Sequence, residues 1–164
     1  MRIAPIVSLA AILLLGCATN YKEKGLTGGY SETQLGGNIF KVSFRGNGYT
    51  SQERTSDFSL LRSAELALEN GFPYFIIVES AEDSKLSTYT TPSTSHTTVN
   101  VYNNGNYTYG NATTTTYGGQ TYIFSKPRAT NTIICFKEKP QVDGLIFDAE
   151  FVARSIREKY GITD

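Results

Sequence analysis

The residue pattern predicts an α+β fold: a single mixed β-sheet with two helices packed on one face, in the order β-β-α-β-[polar insert]-β-β-α. Three features carry this expectation. Residues 38–45 alternate apolar and polar with a period of two, the mark of a half-buried strand. Two stretches, at 58–70 and 148–160, repeat apolar residues at helical spacing between a capping residue and a glycine. Between them, Tyr74-Phe75-Ile76-Ile77-Val78 is apolar without alternation, as expected of a strand covered on both faces.

Taken in order, Gly28-Gly29 leads into a first strand at Tyr30–Leu35, and Gly36-Gly37 offers the positive φ angles of a tight hairpin turn. In the return strand Phe40, Val42 and Phe44 share one face, and Lys41, Ser43 and Arg45 the other. Thr55-Ser56-Asp57 supplies oxygen acceptors for the open amides of a helix start. Leu61, Ala64 and Leu68 form the stripe of that helix, with Leu60 and Ala67 at its edge. Gly71 caps it and Pro73 blocks continuation. Strand, helix and strand in this order predict a right-handed crossover that places the second and third strands parallel.

Residues 86–125 contain no Asp, Glu, Lys or Arg and are crowded with Thr, Tyr, Asn, Ser and Gly. Thr97–Tyr102 and Tyr107–Tyr109 read as a polar hairpin around Asn103-Asn104-Gly105-Asn106, closed by an Asn-Gly turn. Thr113–Thr116 and Gly118-Gly119 read equally as a flexible arm. Strand signals return at Gln120–Phe124 and at Ala129–Phe136, and Pro140 and Gly144 mark a loop. Asp148 caps a last helix that runs to about Tyr160, with Phe147 and Val152 as a hydrophobic staple. Phe151, Val152, Ser155 and Ile156 form its core face, Glu150 and Arg154 an i,i+4 pair, and Gly161 its end.

The first 16 residues read as a cleavable leader. Arg2 gives a positive start, Ile3 to Leu15 is apolar apart from Ser8, and Leu14-Leu15-Gly16-Cys17 completes a lipobox, in which Leu15 is larger than the usual small residue. The apolar run is shorter than the roughly 20 residues that a membrane-spanning helix needs. A plain secretory leader with a released product is the competing reading, and the cysteine behind Gly16 and Leu14 argues against it. Cleavage between Gly16 and Cys17 is therefore expected, and the resemblance of this opening to bacterial lipoproteins implies diacylglycerol and an N-acyl chain such as palmitate on Cys17. One acyl chain binds membranes marginally, whereas two or more hold firmly. The expected organisation is leader 1–16, lipidated tether 17–27, and a single α+β domain over 28–164 with its insert at 86–120.

Loss of the leader removes Arg2, so 15 basic residues become 14 against 15 acidic. A chain this near neutrality offers no field to attract nucleic acid. With Cys17 acylated, Cys135 has no disulfide partner, and one His with one thiol makes no zinc set. Cys135 lies in Thr132-Ile133-Ile134-Cys135-Phe136 and reads as a buried, inert thiol. No cofactor is expected beyond the covalent lipid.

Candidate chemistry is sparse. Arg62 and Glu65, at i,i+3 on the first helix, read as a surface ion pair rather than catalytic groups, for want of a third partner. His96 stands among Ser93-Thr94-Ser95 and Thr97-Thr98 with no carboxylate to orient it and no nucleophile elbow. Glu79, Glu82 and Asp83 are either a divalent-ion or acid–base set, or a solvated strand end. Gly46-Asn47-Gly48 lacks the context of a phosphate loop and reads as a turn. The insert is the least ordinary feature: Tyr102, Tyr107, Tyr109 and Tyr117, among hydroxyl and amide side chains, are the candidate binding residues, since Tyr and Asn offer adaptable contact area.

Gly29-Tyr30-Ser31-Glu32, Val42-Ser43-Phe44-Arg45-Gly46-Asn47, Leu60-Leu61-Arg62-Ser63-Ala64-Glu65-Leu66 and Gly71-Phe72-Pro73-Tyr74-Phe75 together resemble a group of small proteobacterial cell-envelope lipoproteins. The likeness covers about residues 28–80, with a weaker echo in the insert and last helix. It implies location and domain type and carries over no functional residue. Ala18 after the cysteine resembles the pattern of lipoproteins sent to the outer membrane, here its periplasmic face in a Gram-negative envelope. The expected role is a non-catalytic structural or binding domain, with an envelope protein, peptidoglycan or a second copy as partner. The alternatives are a periplasmic hydrolase or ion-dependent enzyme using Arg62, Glu65 or Glu79, and a surface-display or self-association module acting through the insert.

Overall fold

The computed structural model describes residues 17 to 163, so the expected leader, Gly16 included, lies outside the described residues. The elements run β1 (Gly29–Gln34), β2 (Ile39–Arg45), α1 (Gln52–Glu69), β3 (Tyr74–Thr90), β4 (Thr94–Asn104), β5 (Tyr107–Tyr117), β6 (Thr121–Phe136), β7 (Phe147–Asp148) and α2 (Ala149–Tyr160). The chain divides into two compact units. One runs up to Lys85 and resumes at Ser125; the other is Leu86–Phe124.

The first unit is α+β. Its sheet has the order β1-β2-β6-β3-β7, and β1–β2, β2–β6 and β3–β7 are antiparallel. Glu79 meets Thr132 and Ser80 meets Asn131 through side-chain hydrogen bonds, so β3 also runs against β6 here. The crossover from β2 through α1 to β3 does leave β2 and β3 pointing the same way. They are not neighbours, because β6 lies between them. This also corrects the reading of Tyr74–Val78 as a strand covered on both faces: Phe75 is buried but Val78 is exposed. Helices cover one face of the sheet, and β6 takes the central place with Ala129, Asn131, Ile133 and Cys135 all buried. Its two expected halves form one continuous strand.

Phe40, Val42 and Phe44 of β2 are buried as the alternation predicts. Neither Gly36 nor Gly37 has a positive φ, because Leu35 already pairs with Ile39 and leaves a longer connection than a two-residue turn. Helix α1 begins six residues before its expected start. Ser51 accepts a hydrogen bond from the Arg54 amide at 3.1 Å, while the Thr55 and Ser56 hydroxyls donate to carbonyls one turn back. Gly71 and Phe72 close it with amide bonds to Leu68 and Ala67, a Schellman motif. Every residue from Leu61 to Ala67 is buried, whereas Leu68, placed in the stripe by the sequence, is exposed. In α2 the Asp148 cap holds, with its carboxylate 2.9 Å from the Phe151 amide. Ala149, Ala153 and Ile156 face the core, and Phe151 turns to solvent.

Phe58 is a hub. Its ring meets Phe44 of β2, Tyr160 of α2 and Tyr21 at centroid distances of 5.0, 4.9 and 5.4 Å, all edge-on. Such pairs contribute about 0.5–1.5 kcal/mol beyond burial. Tyr21 belongs to the segment expected to be a loose tether. That segment lies instead against the fold. Thr19 is only 2% exposed; its amide donates to the Thr50 hydroxyl at 2.9 Å and its hydroxyl to the Thr27 carbonyl at 2.8 Å. Asn47 reaches the Cys17 carbonyl at 2.8 Å. Polar composition alone suggested a linker, but Thr19, Tyr21 and the Cys17 carbonyl each find a partner on the fold.

Gly28 closes this corner at φ 109°, where a Cβ would stand 2.2 Å from the Arg45 carbonyl oxygen. Gly28→Ala should lower stability by at least about 1–3 kcal/mol, the usual cost of such backbone strain, as read by urea denaturation.

The second unit holds the end of β3, the start of β6 and a two-stranded antiparallel ribbon of β4 and β5. Its turn residues are Gly105 and Asn106, with Gly105 at φ 61° and Asn106 not in the positive region. Glycine therefore takes the first turn position, in place of the expected Asn-Gly order. Thr113–Thr116 is strand, not a loose arm.

Candidate functional site

The densest polar cluster surrounds Arg62, whose side chain is 10% exposed. The guanidinium bonds Glu32 of β1 through two nitrogens at 2.8 and 2.9 Å. It bonds Glu69 through two more contacts at 2.6 and 3.0 Å. Glu65 stands 3.6 Å away, and the Tyr30 ring lies under the cation at 4.8 Å. One oxygen of Glu65 accepts from Arg157 of α2 at 2.8 and 3.1 Å, and the other from the Tyr21 hydroxyl. The hydrogen bonds it donates to Glu32, and then to Glu69, hold the Arg62 guanidinium above its ordinary range despite burial. The same bond from Arg62 holds Glu32 below the usual carboxylate range. Burial, and then the bond to Glu65, push the Tyr21 hydroxyl upward.

Chemically, this arrangement is saturated. The Arg62 donors are spent on carboxylates, and both Glu65 oxygens are taken. A catalytic acid or base needs a polar atom free to meet substrate, and a clamp of this kind holds elements together. The pair is thus more buried than the surface contact expected. Glu32, Tyr21 and Arg157 were missed, since nothing in their spacing announces that distant segments meet; Glu69, two turns beyond Arg62 on the same helix face, was legible from helical spacing.

The other candidates are scattered. Glu79 accepts from Thr132 at 3.3 Å. Thr132 lies between core-facing Asn131 and Ile133, so this contact is on the opposite side of the sheet from Arg62. Glu82 accepts from Ser56 of α1. Asp83 is exposed. Among the described residues, no group of three or more His, Cys, Asp or Glu is placed to hold a metal ion. Cys135 is buried, and burial pushes its thiol up to about 11; Cys17 is exposed. Asn47, in the expected turn, accepts from the Tyr49 amide and the Thr50 hydroxyl, each at 3.0 Å. An open groove of about 700 Å³ runs between Glu65 and Leu68 on α1 and Ala153, Arg157 and Ile162 on the α2 side. Glu150, Arg154 and Glu158, outside the clamp, line it as well.

In the ribbon, Tyr102 stands directly opposite Tyr109. Tyr107 and Tyr117 lie an even number of residues from Tyr109 along β5, so all four candidate tyrosines share one face. All four are exposed. Asn100 and Asn111, opposed to each other, and His96, opposed to Thr115, are on the same face. The reverse face carries Ser95–Thr116 and Thr97–Thr114 hydroxyl pairs at 2.9 Å, with Val99 and Val101 beyond them. Sequence composition marked the tyrosines; the ladder register aligns them.

No family model, curated protein or solved structure matches this chain.

Arg62→Leu leaves three carboxylates facing one another and should destabilise the protein by about 3–5 kcal/mol in urea denaturation. The Glu32 contribution is complete above the ordinary carboxylate value of 4.5 and is lost as pH falls below it toward the depressed folded value. Glu32→Gln should therefore be less stable than wild type at pH 7 and show a flatter loss of stability below pH 4.5.

Proposed function

We propose that this chain is a bacterial envelope lipoprotein, acylated on Cys17 after cleavage behind Gly16, whose domain binds a partner and catalyses nothing. One observation carries the binding role: four exposed tyrosines stand on a single face of an uncharged ribbon. Tyr presents a large contact area at small entropic cost, and Asn100 and Asn111 add adaptable hydrogen bonding. The saturation of Arg62 and Glu65 supports the non-catalytic half of this reading. The lipobox and the exposed Cys17 side chain support the anchor. No helix among the described residues is long and apolar enough to cross a membrane. Ala18 favours the outer membrane, with the domain on its periplasmic face, and the likeness to proteobacterial envelope lipoproteins agrees with that placement. An envelope protein, peptidoglycan or a second copy is the partner class.

Replacing Tyr102, Tyr107, Tyr109 and Tyr117 together by Ser should lower capture of envelope material at least about tenfold, since truncating a single aromatic hot spot costs about 2 kcal/mol or more. Deleting residues 87–119 should do the same while leaving the urea midpoint of the first unit unchanged. Undiminished capture by both variants, or turnover of an ester, glycan or peptide substrate that is lost on mutating one groove residue, would defeat the proposal.

A further inference from the structure

Cys17 is followed by no slack chain. Its carbonyl is held by Asn47, and Thr19, two residues on, is buried between the Thr27 carbonyl and the Thr50 hydroxyl. The Asn47 amide donates back to the Thr19 hydroxyl at 2.9 Å. The tight turn Gly25–Gly28 and the loop 46–50 are thereby knotted to the first described residues. Each of these two loops offers one large apolar or aromatic side chain to solvent, next to a residue that bonds Thr19. Leu26, beside Thr27, is fully exposed, and Tyr49, beside Thr50, is 72% exposed. Among the described residues neither side chain packs into the core. Lys22, Lys24 and Arg45 in the same segments are exposed as well, against a single acid, Glu23.

We infer that this corner is a membrane-docking surface: Leu26 and Tyr49 enter the interfacial layer of the bilayer that holds the Cys17 acyl chains, and the first unit lies on the membrane in a fixed orientation instead of hanging from a tether. The inference rests on acylation of Cys17. Leucine and tyrosine suit the boundary between headgroups and acyl chains, where an apolar body is buried and a hydroxyl stays wet. Exposed lysine and arginine beside them complement anionic headgroups. The hydrogen-bonded knot favours this contact, because an anchor with no linker keeps its immediate neighbours near the lipid surface.

The chain has no tryptophan, so Leu26→Trp and Tyr49→Trp each install a sole reporter at an exposed site. The full chain carrying either substitution, or Leu145→Trp at an exposed loop outside the knot, is expressed in a Gram-negative host and extracted from its membranes. Intact mass reports acylation of Cys17 separately. After reconstitution into phosphatidylethanolamine–phosphatidylglycerol vesicles, emission from Trp at 26 and 49 should shift to the blue and be strongly quenched by lipids brominated near the headgroup. The Leu145→Trp signal should stay water-like. Acylated protein whose Trp at 26 and 49 is as solvent-exposed as that at 145 overturns the docking and leaves the anchor standing. An unmodified Cys17 mass removes the anchor and the docking with it.

Discussion

The Arg62 guanidinium sets the condition on which the first unit closes. One planar cation grips Glu32 on β1 and Glu69 on its own helix, and lies beside Glu65, which in turn holds Arg157 on α2 and Tyr21. A charge this buried is costly alone and tolerable only when every partner is in place. Such a cluster adds little net stability over well-packed apolar side chains. Its effect is to fix which segments meet: β1, both helices and the N-terminal segment must arrive together. The apolar core around Phe58 and Ile133 provides the drive for collapse; the ions decide its arrangement.

The same closure explains why residues 17–27 lie down on the fold. Tyr21 is held by its hydroxyl on Glu65 and by its ring against Phe58 and Tyr30. Thr19 is held by hydroxyl and amide. A stretch whose composition is that of a linker becomes part of the domain because Thr19, Tyr21 and the Cys17 carbonyl are each met by the fold. Buried polar groups that are all paired are as ordered as any core side chain.

The ribbon of β4 and β5 is governed by different physics. It has no charge and no core of its own, and two strands alone are marginally stable in water. Its order rests on a ladder of backbone bonds and on opposed threonine hydroxyls. The lysines and glutamates that ordinarily blunt free strand edges are missing. What such a unit offers is surface, and the register concentrates its aromatic surface on one side.

Much of the architecture was readable from short-range signals. The Phe40, Val42 and Phe44 alternation, the Gly71 stop and the Asp148 cap each work within a few residues, so local pattern sufficed. The errors share one cause. Leu68 and Phe151 have the right period but face away from the core; Ser51 starts α1 because Thr55 and Ser56 turn their hydroxyls inward along the helix. The sequence by itself determined the α+β class, the buried face of β2 and the Gly71 and Asp148 helix boundaries; the leader it predicts lies outside the described residues. Only tertiary structure decided that β6 separates β2 from β3, that Arg62 and Glu65 are clamped while Glu79 is apart, that four tyrosines share a face, and that Cys17 stands flush with the fold. Those are contacts between segments far apart along the chain, and long-range partners leave no periodic trace in the residues that make them.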